Sequence, residues 1–400
     1  MTTKKKAGIF GATYLGVAAV WLGGHFGPGF ATGAFSAQYY VTYGWIGLVM
    51  PLLAMLLTGG VMFFMAEYAR SYGTTNYKPF VESAFGGTFG KVMAVFYDVL
   101  FIGTVIGAGG LAFSGEANIL SKVFGIGYWA AAIPTVIVSV LLCLFGSKLV
   151  AMSSKYMMYA IVVIVVLIAV LSLIFGNHDI SAAFSAPPIE TRTPTIIYAV
   201  WKAILYGCFQ STIAFNVMGV ADLLESRNDT KKAIISGYII TVVLMILIAF
   251  TLFIYIPVNP NIINLSETPV PMMAILGGLG MPWLTYIFVI LMTLAVLTST
   301  AGLANAGCRR FDSLFKGIKN PLLRKAVITI ILLGIAAAAA SLNMAVLTRT
   351  VTTYIGYFGI IGLVIPAFTI IRSKLKKFNA QKAEAETAEA EIPEAEKAGE

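Results

Sequence analysis

The chain has 400 residues, of which 58% are apolar and only 11% charged, with a formal net charge of +9. A soluble domain carries about 25% charged residues, so this composition excludes an ordinary soluble enzyme or binding module. The basic excess is scattered in short groups between long apolar runs, which argues against a nucleic-acid surface.

Ten runs have roughly the length needed to cross about 30 Å of hydrocarbon. In chain order they are 13–36, 45–69, 91–116, 128–147, 152–175, 195–224, 233–257, 283–308, 323–341 and 346–371. Lys4, Lys5 and Lys6 before the first run are similar to the start of a signal peptide, but no small-residue cleavage site follows. With an inside N-terminus and ten crossings, all of the 27 Lys and Arg except Lys122, Arg192, Lys202 and Arg349 fall on the cytoplasmic side. That asymmetry supports the span count, a multi-pass cell-membrane location and cytoplasmic termini.

The first run is interrupted. Residues 23–33 hold Gly23, Gly24, Gly27, Gly29 and Gly33 with Pro28 among them. Proline removes an N–H and clashes with the preceding turn. Backbone that leaves the helix in hydrocarbon strands polar groups, so such a break survives only against protein or a polar cavity. The sixth run, 195–224, carries Gln210, Ser211, Thr212 and Asn216 between Gly207 and Gly219. It reads as a second break. The competing reading is a continuous helix whose hydroxyls bond back to its own carbonyls. Interruptions at the same place in two halves are a feature of inverted-repeat transporters, and five spans per half invert the second half relative to the first.

Span 8 reads Leu294-Ala295-Val296-Leu297-Thr298-Ser299-Thr300-Ala301-Gly302. Ser299 and the threonines offer hydroxyl oxygens without formal charge. Ionisable residues in the spans are few. Asp98 reads either as a proton or cation site or as the partner of a basic residue. Glu67 and Glu116 sit near span ends and are expected to reach the interface. His25 in the break reads either as a neutral packed histidine or as a group that titrates during transport, and Lys155 as a lysine reaching the cytoplasmic interface. Cys143, Cys208 and Cys308 lie in apolar spans as packing residues. The sequence has no Ser-His-Asp set, P-loop or zinc spacing, so no enzymatic activity is expected. Residues 379–400, rich in Ala and Glu, read as a disordered acidic cytoplasmic tail.

With its interrupted first span and the Ala295…Thr298-Ser299 segment, the chain resembles the amino acid–polyamine–organocation superfamily, whose members share the leucine-transporter fold. More narrowly, its layout resembles the YkvI-like bacterial membrane proteins. The resemblance implies an all-α membrane protein with ten transmembrane helices as a 5+5 inverted repeat and broken helices 1 and 6. Residues 1–378 would form the transporter domain, with repeats at 13–175 and 195–371. It implies a sodium ion held by the Ala295 carbonyl, the Thr298 and Ser299 hydroxyls, and the carbonyls of Gly23 and Phe26. Substrate would sit against the backbone N–H groups of Gly27, Gly29 and Phe30, with Phe209, Gln210 and Thr212 taking its other polar end. Pro28 cannot donate, so this cradle has one donor fewer than the family pattern. Phe101, Thr104 and Asn305 are candidates for selectivity. The implied function is secondary active transport of a small polar or zwitterionic solute, an amino acid foremost, with sodium as coupling ion and no other cofactor. Proton coupling on the same fold and a channel are the alternatives. The partners are the solute, sodium or a proton, and membrane lipid.

Overall fold

The computed structural model describes the backbone of residues 13–144, 147–190 and 195–397, and the side chains of these except Thr13, 147–155, 386 and 388–397. Lys4, Lys5, Lys6 and Arg192 lie outside the described residues, as does the side chain of Lys155. Among the described residues the chain is helical and has no strand.

The chain begins with α1 (Thr13–His25), α2 (Pro28–Ala31), α3 (Ala34–Tyr39), α4 (Met50–Tyr72) and α5 (Tyr77–Phe85). It continues through α6 (Gly87–Phe124), α7 (Tyr128–Leu144), α8 (Ser147–Phe175), α9 (Ile180–Ser185) and α10 (Thr195–Met218). It closes with α11 (Arg227–Tyr255), α12 (Pro271–Gly278), α13 (Pro282–Phe311), α14 (Pro321–Ala339) and α15 (Met344–Ala385). Eight of these helices are long and apolar enough to cross a membrane, and α7 is a shorter apolar helix. The first expected span is divided among α1, α2 and α3.

The apolar pattern explains why these helices stand in lipid. On α6, Val92, Val95 and Val99 form an exposed stripe at helical spacing, while Met93, Tyr97, Leu100 and Phe101 on the other side are buried. An apolar stripe of this kind on each long helix would be costly in water and is favourable in hydrocarbon. The chain is a membrane protein.

Small residues set the distances between helices at the centre. A Cβ on Gly207 of α10 would lie 2.6 Å from the Ala54 carbonyl oxygen of α4, and one on Gly356 of α15 would lie 2.7 Å from the Leu205 carbonyl oxygen. Thr58 Oγ1 donates to the Gly207 carbonyl at 3.0 Å. Close backbone approach and cross-helix hydroxyl bonds are how helices associate where no hydrophobic force separates them from lipid. Thus α10 is clamped between α4 and α15. Inside α6, Val105–Gly109 forms a π-helical turn. The wider turn brings Gly109 close to α14, where an added Cβ would meet the Ala336 Cβ at 2.7 Å.

Beyond Phe378 the backbone is helical through Lys397. Alanine, glutamate and lysine are strong helix formers, and α15 supplies a ready nucleus for propagation.

Candidate functional site around the broken first helix

The Phe26 N–H donates to the Leu22 carbonyl at 2.7 Å, the last turn of α1. Gly27 is then extended, with φ −60° and ψ 168°, and Pro28 opens α2. Proline suits a first helical position because that N–H has no intrahelical partner in any case. The backbone therefore leaves the helix at Phe26–Gly27, within the glycine-proline segment marked by the sequence. Gly33, at φ 82°, reverses the chain into α3. The Thr32 carbonyl is held by the Met272 N–H of α12 at 3.0 Å.

α10 does not break in the same way. It tightens to a 3-10 turn over Ser211–Ile213, and the flanking residues Gln210 and Ala214 keep right-handed helical angles. The expected break of helix 6 is corrected to a continuous helix with one tightened turn. The reason lies in the side chains: Ser211 Oγ donates to the Gly207 carbonyl and Thr212 Oγ1 to the Phe209 carbonyl, each at 2.8 Å. Without a proline, these hydroxyls serve the helix they belong to.

α13 presents its hydroxyl face to the break. Ser299 Oγ donates to the Gly23 carbonyl at 3.4 Å. A Cβ on Gly27 would lie 3.0 Å from Ser299 Oγ, and one on Gly23 would lie 3.8 Å from the Thr298 Cβ. Thr298 Oγ1 donates to the carbonyls of Leu294 and Ala295, each at 3.0 Å, so its lone pairs stay available. Ala295, Thr298 and Ser299 are all buried. Phe26 is buried too, its ring 4.7 Å from that of Phe30. Gly23, Gly27, Thr298 and Ser299 thus come together at one point.

Two cavities flank this point. The smaller, about 40 Å³, is lined by Gly27, Gly29, Phe209, Gln210 and Thr212, together with Phe101 and Thr104. It has room for about one water. Phe30 is not among its lining residues, and the Phe30 N–H is already donated to the Gly27 carbonyl at 2.9 Å. The expected cradle therefore loses this donor to the first turn of α2. The larger cavity, about 620 Å³, runs from Gly23 and Thr298 to Arg309, Asp312 and Lys325 at one end of the bundle, with Asn305 on its wall. Asn216 lines both cavities.

The opposite end is closed by rings. Tyr206 of α10 packs on Phe35, Tyr39 and Tyr40 at centroid distances of 5.3, 5.0 and 5.5 Å. Tyr39 Oη is 2.8 Å from Thr352 Oγ1 of α15. Gln210 Nε2 donates to Tyr206 Oη at 2.7 Å, so this predicted polar contact is committed to the closure. His25 is packed against the same ring at 5.9 Å.

Asp98, left open by the sequence, is the partner of a basic residue. Arg310 binds it through both Nε, at 2.6 Å to Oδ1, and Nη2, while Tyr77 Oη donates to Oδ1 at 2.8 Å. The set ties α6 and α5 to the end of α13. Glu67 and Glu116 correct an expectation: both are buried instead of reaching the interface. Glu67 is bound by Arg70 and Thr230, and Glu116 faces Thr293. Sequence reasoning missed the Tyr39–Tyr206 layer and the Arg310 pairing. Their only signals are a Tyr39-Tyr40 doublet and an Arg309-Arg310 doublet, which do not name partners.

No model of a known protein family matches the chain. The uncharacterized membrane protein YkvI of Bacillus subtilis (strain 168) is 23% identical over 234 residues, 57% of this chain. The match spans 63% of that relative's length, just under two thirds. Among solved structures, a Na+-coupled sialic acid symporter superposes with a TM-score of 0.65 at 15% identity, covering 88% of this chain and 78% of that one. MhsT in complex with L-phenylalanine superposes at 0.62 and 14% identity, covering 87% and 88%. Mhp1, a nucleobase-cation-symport-1 family transporter, superposes at 0.60 and 14% identity, covering 86% and 74%. These neighbours are transporters, not enzymes. The chain is thus similar to YkvI over part of its length and shares the fold of these solved transporters, the leucine-transporter fold.

Proposed function

We propose that the chain is a secondary active transporter of a small polar or zwitterionic solute, an amino acid foremost, working by alternating access with sodium as the coupling ion. The observation that carries this reading is the approach of the Ser299 hydroxyl to the Gly23 carbonyl beside an unwound, buried backbone. A small hard cation requires several oxygens, and freed carbonyls with hydroxyls supply them without charge. The ligands would be the carbonyls of Gly23, Phe26 and Ala295 with the hydroxyls of Thr298 and Ser299.

The two cavities give the cycle a direction. Counting the broken first segment and α7 with the eight long helices gives ten crossings, read as two inverted halves. On that topology the larger cavity opens to the cytoplasm and the ring layer closes the outside. The smaller cavity is the solute site in its collapsed form, with Gly27, Gly29, Phe209, Gln210 and Thr212 on its wall. An amino acid needs far more than 40 Å³, so binding must separate α2 from α10.

The experiment has two stages. Purified protein is screened by thermal unfolding against amino acids in sodium or potassium, since a ligand of the folded state raises stability by mass action. Any stabilising solute is then offered to proteoliposomes. Uphill uptake driven by an inward sodium gradient supports the reading. Uphill uptake driven only by a proton gradient moves the coupling to protons, and passive current alone identifies a channel.

A further inference from the structure

Glu116 stands within α6, deep in the helix bundle, with 1% of its surface exposed. Its Oε1 lies 2.6 Å from Thr293 Oγ1 of α13. The same Thr293 oxygen lies 3.0 Å from the Val289 carbonyl, one turn back on its own helix. A hydroxyl has one hydrogen. Thr293 donates it to Glu116 Oε1 at the shorter distance and offers it to the Val289 carbonyl more weakly, so Glu116 receives a share of one neutral donor. Glu116 Oε2 is buried without a hydrogen-bond partner. A neutral carboxyl tolerates one bare oxygen far better than a carboxylate tolerates burial without a cation.

Among the described residues nothing nearby supplies that cation. Lys122 on the same helix is exposed. Of the elements packed against this part of α6, α7 brings Tyr128, whose hydroxyl donates to the Ala340 carbonyl at 2.6 Å. The start of α15 brings Arg349, which donates to Gln38 at 3.1 Å. α13 brings Tyr286, which is exposed, and α2 brings no titratable residue. His25 stacks on Phe26, Phe30 and Tyr206. Cys143 on α7, the Cys308, Arg309 and Arg310 group on α13, and Arg324 and Lys325 on α14 lie at the other end of the bundle. Cys308 is about 22 Å along α13 from Thr293. Thr293 precedes Ala295 by two residues, about 200° round the helix, so the pair is separate from the oxygens grouped with Ser299.

The neighbour of Glu116 connects it to the break. A Cβ on Gly115 would lie 3.2 Å from the Pro28 Cβ, so α2 is seated directly on α6 at this level. We propose that Glu116 is a proton-binding site, loaded while Pro28 of α2 covers Gly115, that releases its proton to water when α2 withdraws. The step moves one proton from the Glu116 carboxyl to water and leaves a carboxylate in a newly hydrated space. The alternating-access reading is used only for the direction of the coupled change: opening at α2 closes the larger cavity.

Cys308 lines that larger cavity, while Cys143 and Cys208 are buried, so its alkylation rate reports how open the cavity is. Glu116→Gln mimics the loaded state at every pH. Comparing the two proteins at each pH cancels the thiol's own titration. At about pH 5 the rates should agree, and at about pH 9 wild type should be slower by roughly threefold or more. Infrared spectra at neutral pH should show a protonated-carboxyl C=O band that Glu116→Gln removes. A rate ratio that stays flat across pH, or no band sensitive to Glu116→Gln, overturns the proposal. Neither measurement uses sodium or a solute, so failure of the transport reading is separately visible.

Discussion

Replacing Asp98 separates a structural ion pair from a transport site. The Arg310 side chain is 8% exposed and that of Asp98 25%. Asp98→Asn removes the charge that balances a nearly buried guanidinium. Breaking a buried pair from one side costs about 3–5 kcal/mol. The partial exposure of Asp98, and the ability of asparagine to accept from Arg310 Nε, place this case near the lower end, about 3 kcal/mol. Removing the whole set avoids the stranded charge. Asp98→Leu with Arg310→Met would leave Tyr77 Oη without its acceptor, a loss of about 1–3 kcal/mol, so Tyr77→Phe is added. The triple variant should lie within about 1 kcal/mol of wild type, because apolar packing replaces a buried pair at little cost. Stability is read by steric trapping in bicelles, and uptake in proteoliposomes with the solute that stabilises wild type. The single variant should be much weakened, and the triple variant should recover both stability and uptake. A triple variant that is stable but inactive would return Asp98 to the role of a proton or cation site. A single variant as stable as wild type would show that the pair contributes nothing.

Two further substitutions probe the break and the closure. Gly29→Ala would place a Cβ 2.7 Å from two atoms of the buried Phe35 ring. Overpacking of this kind costs about 1–3 kcal/mol, and solute-dependent stabilisation should fall with it; unchanged solute stabilisation would mean that Gly29 does not border the solute. Tyr39→Phe removes the bond to Thr352, worth about 1 kcal/mol, from the ring layer. Amide hydrogen exchange of peptides covering Tyr39 and Tyr40 should speed up, and unchanged exchange would show that the layer is held by ring packing alone.

Much of the architecture is legible as one-dimensional pattern. Apolar run length locates the long helices because the bilayer imposes a fixed thickness, and Pro28 amid glycines marks the break because proline cannot continue α1. Span 6 is ambiguous in sequence for a physical reason: serine and threonine can either line a break or bond back to their own helix, and only Ser211 and Thr212 in place show the second. Glu116 reads as interfacial because it stands near the end of an apolar run, yet α6 continues to Phe124 and carries it inside. The contact of Arg310 with Asp98 joins residues far apart in the chain, and no spacing rule predicts it. Phe30 reads as a free donor in sequence, whereas the first turn of α2 uses its N–H for the Gly27 carbonyl. The meeting of Ser299 with Gly23 was legible only through resemblance, since neither residue alone indicates the other.

The sodium assignment is tested most directly by thermal unfolding of wild type and the Thr298→Ala/Ser299→Ala variant, in sodium and in potassium at equal ionic strength. The double change removes two hydroxyl oxygens next to Gly23 while leaving the backbone carbonyls and nearly all of the volume. At sodium about 100-fold above its dissociation constant, wild type should gain about 2.7 kcal/mol relative to potassium. The variant should lose most of that gain yet unfold normally in potassium. An equal sodium-specific gain in both proteins, or none in wild type, would contradict the account.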